Sequence, residues 1–334
     1  MKGLKLPAAL ISAALVFLGI QWMSTGPVPG LPSTESFRYE LDQFMKVDPA
    51  LVRFEETGRV DLPGFQLTAL AVDGSGRVLV AAGRELLIIE NLGDLESWKT
   101  LERFQLPASA SCLAAGGEGR IYVGAGPLVY AVEEGGDVIQ EPWELGERGF
   151  ATALAVYGDN VYVSDAGNRI VWLFTAAGQL ISQIGQGNGN SGGPGFIVPS
   201  PYFDAAVDGT GSLWVVNPGR LRIERYNRAG ELEQMWGSPS MRIEGFAGCC
   251  NPAHIALLPD GGVVTSEKGI PRVKVYNPDG TLESVVAGPD LFAPGTADLD
   301  LAVDEMGNVL ILDPKAGALR IFSPLNETEE AGEV

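Results

Sequence analysis

The chain has 334 residues, 46% of them apolar and 19% charged, which is too rich in Val, Ile, Leu and Phe for a disordered polymer. Its 44 Gly and 22 Pro make about a fifth of the chain turn-formers, a composition that favours many short strands over long helices. With 42 acidic against 23 basic residues the net charge is −19, which repels nucleic acid and anionic lipid surfaces, and the single His excludes multi-histidine metal centres and most His-based catalysis.

At the amino terminus, Lys2 and Lys5 precede Leu6 to Met23, a run without charge. As a helix at ~1.5 Å per residue it would nearly span a bilayer core. The residues that follow, Ser24, Thr25, Gly26 and Pro27, offer no clear small-x-small cleavage motif, so the run is expected to be a retained membrane anchor, with a cleaved signal peptide as the alternative. Either reading leaves Lys2 and Lys5 in the cytoplasm and exports the rest to the periplasmic side of the inner membrane. Residues 1–25 are thus an anchor or signal segment and 26–51 a linker, in which Phe37, Leu41, Phe44 and Met45 predict a short amphipathic helix over Ser36 to Val47.

From residue 52 an apolar triplet, a Gly/Asp turn and a second apolar run recur. The copies begin Leu70-Ala71-Val72, Leu113-Ala114-Ala115, Leu154-Ala155-Val156, Ala205-Ala206-Val207, Ile255-Ala256-Leu257 and Leu301-Ala302-Val303, with spacings of 43, 41, 51, 50 and 46 residues. Turns such as Gly74-Ser75-Gly76 lead to second strands such as Val78 to Val80 or Val161 to Val163. A third strand, as at Ile170 to Phe174, runs through Ala177-Gly178 into a fourth. Four antiparallel strands per copy predict one all-β, six-bladed propeller over residues 52–323, followed by an acidic tail over 324–334. The sixth copy lacks a fourth strand, whereas Arg59-Val60-Asp61-Leu62-Pro63 parallels Arg103-Phe104-Gln105-Leu106-Pro107 from the end of the first. The early strand is therefore predicted to complete the last blade and remove two unpaired edges. A solenoid would need no such completion.

The blade pattern, clearest from Leu154 through Val161-Tyr162-Val163-Ser164-Asp165-Ala166-Gly167-Asn168-Arg169-Ile170, resembles the NHL-repeat family of six-bladed propellers. Pro199-Ser200-Pro201-Tyr202-Phe203-Asp204 and Gly248-Cys249-Cys250-Asn251-Pro252, with Ser266-Glu267-Lys268-Gly269, further resemble an exported bacterial subgroup of undefined role. The resemblance implies a fold and a binding scaffold, and a fold does not by itself imply an activity.

Candidate sites follow from propeller topology. Long intervals place enlarged connections at Gly185 to Phe203 and Gly237 to Ala253, on the face shared with the turns between second and third strands. That face is the expected site for a protein or small-molecule ligand, with Asp165, Arg169, Tyr202, Asp204, Asn217, Arg220, Glu267, Lys268, Asp313 and Lys315 as candidate binding residues. Cys249 and Cys250, with His254 four residues on, allow three readings: a vicinal disulfide in an oxidising compartment, a copper or zinc site using all three, or plain packing. The repeat register also aligns Ala69, Cys112, Ala153, Asp204, His254 and Asp300, and Asp204, His254 and Asp300 either crowd the channel mouth as a site or pin neighbouring blades together.

Gly187-Asn188-Gly189-Asn190-Ser191-Gly192 matches a dinucleotide fingerprint without the helix it requires. No nucleophile-base pair is visible, so a scaffold is expected rather than an enzyme. The enzymatic alternatives are lactonase-like and amidating-lyase-like propellers. The latter use a multi-histidine zinc site, and the former place carboxylates or amides at positions that here hold Thr68, Ser111, Thr152, Phe203, Ala253 and Leu299.

Overall fold

The structure is a computed structural model describing residues 42–91, 98–185 and 195–325. The chain divides into two compact units, Met1–Gln43 and Phe44–Val334, and the strands lie in the second. The expected anchor at Leu6 to Met23, the first half of the expected helix at Ser36 to Val47, the glycine-rich 187–192 and the tail from 326 lie outside the described residues. Among the described residues no helix is long and apolar enough to cross a membrane.

Twenty-four strands form six four-stranded antiparallel sheets, each a blade. Blade one holds β1's successors β2 (Leu67–Val72), β3 (Val78–Ala82), β4 (Glu85–Asn91) and β5 (Trp98–Gln105), where β1 is Phe54–Asp61. Blade two holds β6 (Cys112–Ala115), β7 (Ile121–Ala125), β8 (Leu128–Val132) and the short β9 (Trp143–Glu144). Blade three holds β10 (Ala151–Tyr157), β11 (Asn160–Asp165), β12 (Ile170–Thr175) and β13 (Leu180–Ile184). Blade four holds β14 (Ala205–Val207), β15 (Leu213–Asn217), β16 (Arg222–Tyr226) and β17 (Leu232–Trp236). Blade five holds β18 (His254–Leu257), β19 (Val263–Glu267), β20 (Arg272–Tyr276) and β21 (Leu282–Ala287). Blade six holds β22 (Asp300–Val303), β23 (Val309–Asp313) and β24 (Ala318–Pro324) and is completed by β1.

Burial explains the sequence pattern of each strand position. Second strands such as β3, β15, β19 and β23 are buried along their whole length, because neighbouring blades cover both faces. They accordingly open on continuous apolar runs such as Val78-Leu79-Val80 and Val309-Leu310-Ile311-Leu312, each large apolar side chain contributing roughly 1.5–3 kcal/mol on burial. Outer strands β5 and β13 are mostly exposed and carry Lys, Glu and Gln. Between blades, aromatic wedges fill the periphery: Trp143 packs on Gly178 and Trp236 on Gly280, where an added Cβ would stand 2.2 and 2.5 Å from the indole. Both glycines also have positive φ, so turn geometry and the neighbouring wedge demand the same residue.

The predicted closure is present. β1 pairs antiparallel with β24, setting Arg59 opposite Arg320 and Val60 opposite Leu319. Glu56 accepts two bonds from the buried Arg320 guanidinium at 2.9 and 2.5 Å, and Thr57 bonds Ser323 at 2.7 Å. The outer edge of β24 is thereby paired, and blade six has four strands like the other five.

The two connections that sequence spacing singles out leave β13 and β17 and enter β14 and β18. Each inner strand starts on the face where second strands end, so these connections share a face with the turns after β11, β15, β19 and β23.

Candidate functional site

Four of the residues expected to bind ligand stand at the last position of a second strand and are fully buried: Asp165, Asn217, Glu267 and Asp313. Their polar atoms are engaged inside the fold. Asp165 accepts from Phe150 N, Asn168 N and Trp172 Nε1, and Asp313 accepts from Lys315 N and Ala316 N. Asn217 Oδ1 accepts from Ile197 N at 3.0 Å, and its amide donates to Glu224 at 2.8 Å, which fastens the connection before blade four.

Glu267 anchors the connection before blade five. It pairs with Arg272 at 2.9 Å and Lys274 at 2.7 Å and accepts from Ala247 N at 2.7 Å. Lys274 also donates to Ile243 O and Gly245 O, between the rings of Phe246 and Tyr276. Burial pushes its ammonium down to about 8 against the pull of Glu267. Asn251, buried beside it, bonds Ala247 O, Lys268 O and Lys268 N. These four residues thus hold the loops that shape the face, and of the candidate binding residues Arg169 and Lys315 are open to solvent, with Tyr202, Arg220 and Lys268 half-buried.

At the centre, the first residues of the inner strands line a channel of about 270 Å³. Hydroxyls and carboxylates at its mouth join successive blades. Ser111 donates to Ala151 O at 2.7 Å and Thr152 to Phe203 O at 2.6 Å, while Asp204 accepts from Ile255 N at 2.9 Å and Asp300 from Leu70 N at 2.8 Å. The positions compared above with those of lactonase-like propellers therefore carry blade-joining hydroxyls in blades two and three.

Pinning and clustering are both realised. His254 Nδ1 lies 3.4 Å from Asp204 Oδ2 and 3.4 Å from Asp300 Oδ1, and its Nε2 lies 4.0 Å from Asp298 Oδ1. Burial works to keep the imidazole neutral, but the Asp204, Asp298 and Asp300 carboxylates outweigh it and lift the ring to about 10. Burial pushes Asp300 up to about 6, with His254 opposing and Asp204 adding to the rise. Tyr202 stands edge-on to His254 with ring centroids 6.1 Å apart, and the Lys268 ammonium lies 3.9 Å above the Tyr202 ring. Burial and the Asp298 carboxylate push the Tyr202 phenol up to about 12.

The two adjacent cysteines stand apart from the histidine cluster. Cys249 and Cys250 are free thiols with sulfurs 3.5 Å apart, Cys249 exposed and Cys250 buried. Among the described residues the group of three metal-type ligands that converges is Asp204, His254 and Asp300, so His254 turns to carboxylates rather than to the two thiols. The reason is register: His254 opens β18 and faces the channel, whereas the cysteines belong to the connection before it.

Asp298 is the mouth residue that sequence reading missed. It falls outside the repeat landmarks, and only the alternation Asp298-Leu299-Asp300 could have marked it. A larger, open hollow of about 450 Å³ lies at the opposite ends of blades four to six, lined by Trp214, Arg225, Pro259 and Pro278. Of its carboxylates, Asp208 and Asp304 are tied into their own turns, so volume alone does not make it the site.

The chain matches no protein-family model and no curated protein. Among solved structures it is similar to the WD40 β-propeller domain of Doa1, at 14% identity and a TM-score of 0.51, over 77% of this chain and 78% of that one. That likeness supports the propeller fold alone.

Proposed function

We propose that the protein is an exported, membrane-tethered binding scaffold of NHL-repeat type that receives a protein or small-molecule ligand on the face around the channel mouth. One observation carries this reading: the two longest connections between blades are held by buried polar groups, Asn217 with Glu224 and Glu267 with Arg272 and Lys274. Buried charge of this kind costs desolvation and is a poor source of net stability, whereas it fixes loop geometry. A face built from fixed loops around a recess, edged by Tyr202, Lys268, Arg169 and Arg220, is organised for recognition at low ordering cost. Tethering draws on the positively flanked apolar run Leu6 to Met23, and the family reading on the motif from Leu154 to Ile170.

Photo-crosslinking in the native cell tests it. A photoreactive residue at position 169, 202 or 220 should capture a common partner, and the same residue at Ser75 or Glu305, in turns at the opposite ends of the inner strands, should not. Equal capture from both faces, or none from either, would reject the face. A phosphatase fused after residue 44 reports export through its activity in the periplasm.

A further inference from the structure

We infer that Asp204, His254 Nδ1 and Asp300 form a binding site for one divalent transition-metal ion of the zinc class at the mouth of the channel. The site does not rest on the scaffold reading.

The distances carry the argument. Ligand atoms held ~2.0–2.1 Å from a tetrahedral zinc stand about 3.3–3.4 Å from one another. His254 Nδ1 lies 3.4 Å from a carboxylate oxygen on either side. A charge-assisted hydrogen bond between imidazolium and carboxylate would instead close to ~2.7–2.9 Å. One nitrogen between two oxygens, too far for good hydrogen bonds to either, has the spacing of ligands that share an ion.

The carboxylates are held for this purpose by backbone rather than by cations. Asp204 accepts from Ala205 N and Ile255 N, and Asp300 from Leu301 N and Leu70 N. Each oxygen so engaged keeps a second lone pair. Among the described residues their ion-pair partner is His254 alone, with no Lys or Arg to neutralise them. Asp204 is only 8% exposed, so this charge sits at a place where anions need a positive partner.

A second observation is independent of the cluster. His254 Nε2 is sealed from solvent and has no hydrogen-bond partner, while Asp298 stands 4.0 Å away. With Nδ1 on a metal, Nε2 carries the proton and Asp298 becomes the outer carboxylate that orients a metal-bound imidazole. An imidazole ligand disfavours calcium and magnesium, and the absence of a thiol from the group disfavours copper(I), which leaves the zinc-class divalent ions. The remaining coordination positions face the channel of about 270 Å³.

Titration of the chelator-treated full chain with zinc chloride alone, followed by calorimetry and equilibrium dialysis, tests the site. One zinc per chain is expected. His254→Gln and Asp204→Asn should each weaken binding by more than about tenfold. Asp300→Asn should do the same and keeps an acceptor for Leu70 N, so its fold can be verified by thermal unfolding. The Cys249→Ser/Cys250→Ser variant should bind like the parent. Cobalt(II) should give visible d–d bands without a near-ultraviolet sulfur charge-transfer band. No zinc bound at micromolar concentration, binding unchanged in His254→Gln and Asp300→Asn, or binding lost in the double-serine variant would each overturn the assignment.

Discussion

Asp300 of blade six accepts the backbone N–H of Leu70 in blade one at 2.8 Å, across a sequence separation of 230 residues. The same blades meet again where β1 completes the sixth sheet, so the ring closes twice, by a side chain at the mouth and by main-chain pairing at the rim. The two closures place different demands. The rim needs only a strand of suitable length, whereas the mouth needs an acceptor with the reach of an aspartate, and that requirement puts charge into the channel.

Asp300→Ala should therefore destabilise the folded protein by about 1–3 kcal/mol, the cost of leaving the buried Leu70 N–H unpaired. Asp300→Asn should cost less. Urea midpoints measured in excess chelator separate this effect from metal binding, and an unchanged midpoint for the alanine variant would show that the mouth contact does not contribute.

At the rim, Glu56→Ala leaves the Arg320 guanidinium, 4% exposed, with Leu291 O and a distant Asp313 as partners. Glu56 is itself partly exposed, so the expected loss is about 1–3 kcal/mol rather than the larger penalty of a fully buried pair. Deleting residues 52–61 removes β1 outright and exposes the edge of β24. The truncated chain should aggregate, and undiminished thermal stability would contradict closure through β1.

Much of this architecture was legible because a blade is a local pattern. Leu70-Ala71-Val72, a glycine turn and Val78 to Val80 state two strands and their connection within a dozen residues. Closure was legible through Arg59 to Pro63 and its echo at Arg103 to Pro107. The roles of polar residues were harder to read, because a strand-end acid looks the same whether it faces solvent or its own turn. Asp165 followed by Gly167 and Asn168 has the composition of an aspartate-capped turn and could have been read that way. Nothing in the sequence marks Glu267, Arg272 and Lys274 as one buried network, because alternation on two neighbouring strands sets which side chains meet, and the connection over them sets their burial.

Acid should weaken the turns between first and second strands. Burial tends to raise the Asp208 carboxyl, but bonds from Thr210, Trp214 and Ser212 outweigh it and hold the group below its usual 3.8. Asp73 is lowered likewise by Ser75 and Arg77, against burial. Below 3.8 the unfolded chain binds these protons more readily than the folded one, so stability rises with pH in that window. The contribution is complete above the unfolded value and is lost as pH falls through the folded one. Asp208→Ala should cost about 0.5–1.5 kcal/mol at neutral pH through its lost hydrogen bonds, and should flatten the acid limb of a urea-midpoint profile.

The cysteines should differ sharply in reactivity. Cys249 is exposed, Cys250 is buried beside it, and burial pushes the Cys112 thiol well above its ordinary value. In the folded, reduced protein a maleimide should modify Cys249 first, and Cys249→Ser should remove the rapid phase. If the protein is exported as proposed, an oxidising compartment favours joining the two sulfurs that already stand 3.5 Å apart, while Cys112 lies on another blade with no cysteine beside it. Denaturation without reductant should then expose one thiol, and denaturation with reductant three. Because the Asn251 bonds and the Glu267 network hold this connection independently, reduction should change hydrogen exchange near Gly248 and leave the unfolding midpoint almost unmoved. Three thiols without reductant would show that the pair stays open in the cell, and a large loss of stability on reduction would show that the bridge, rather than the buried network, holds the loop.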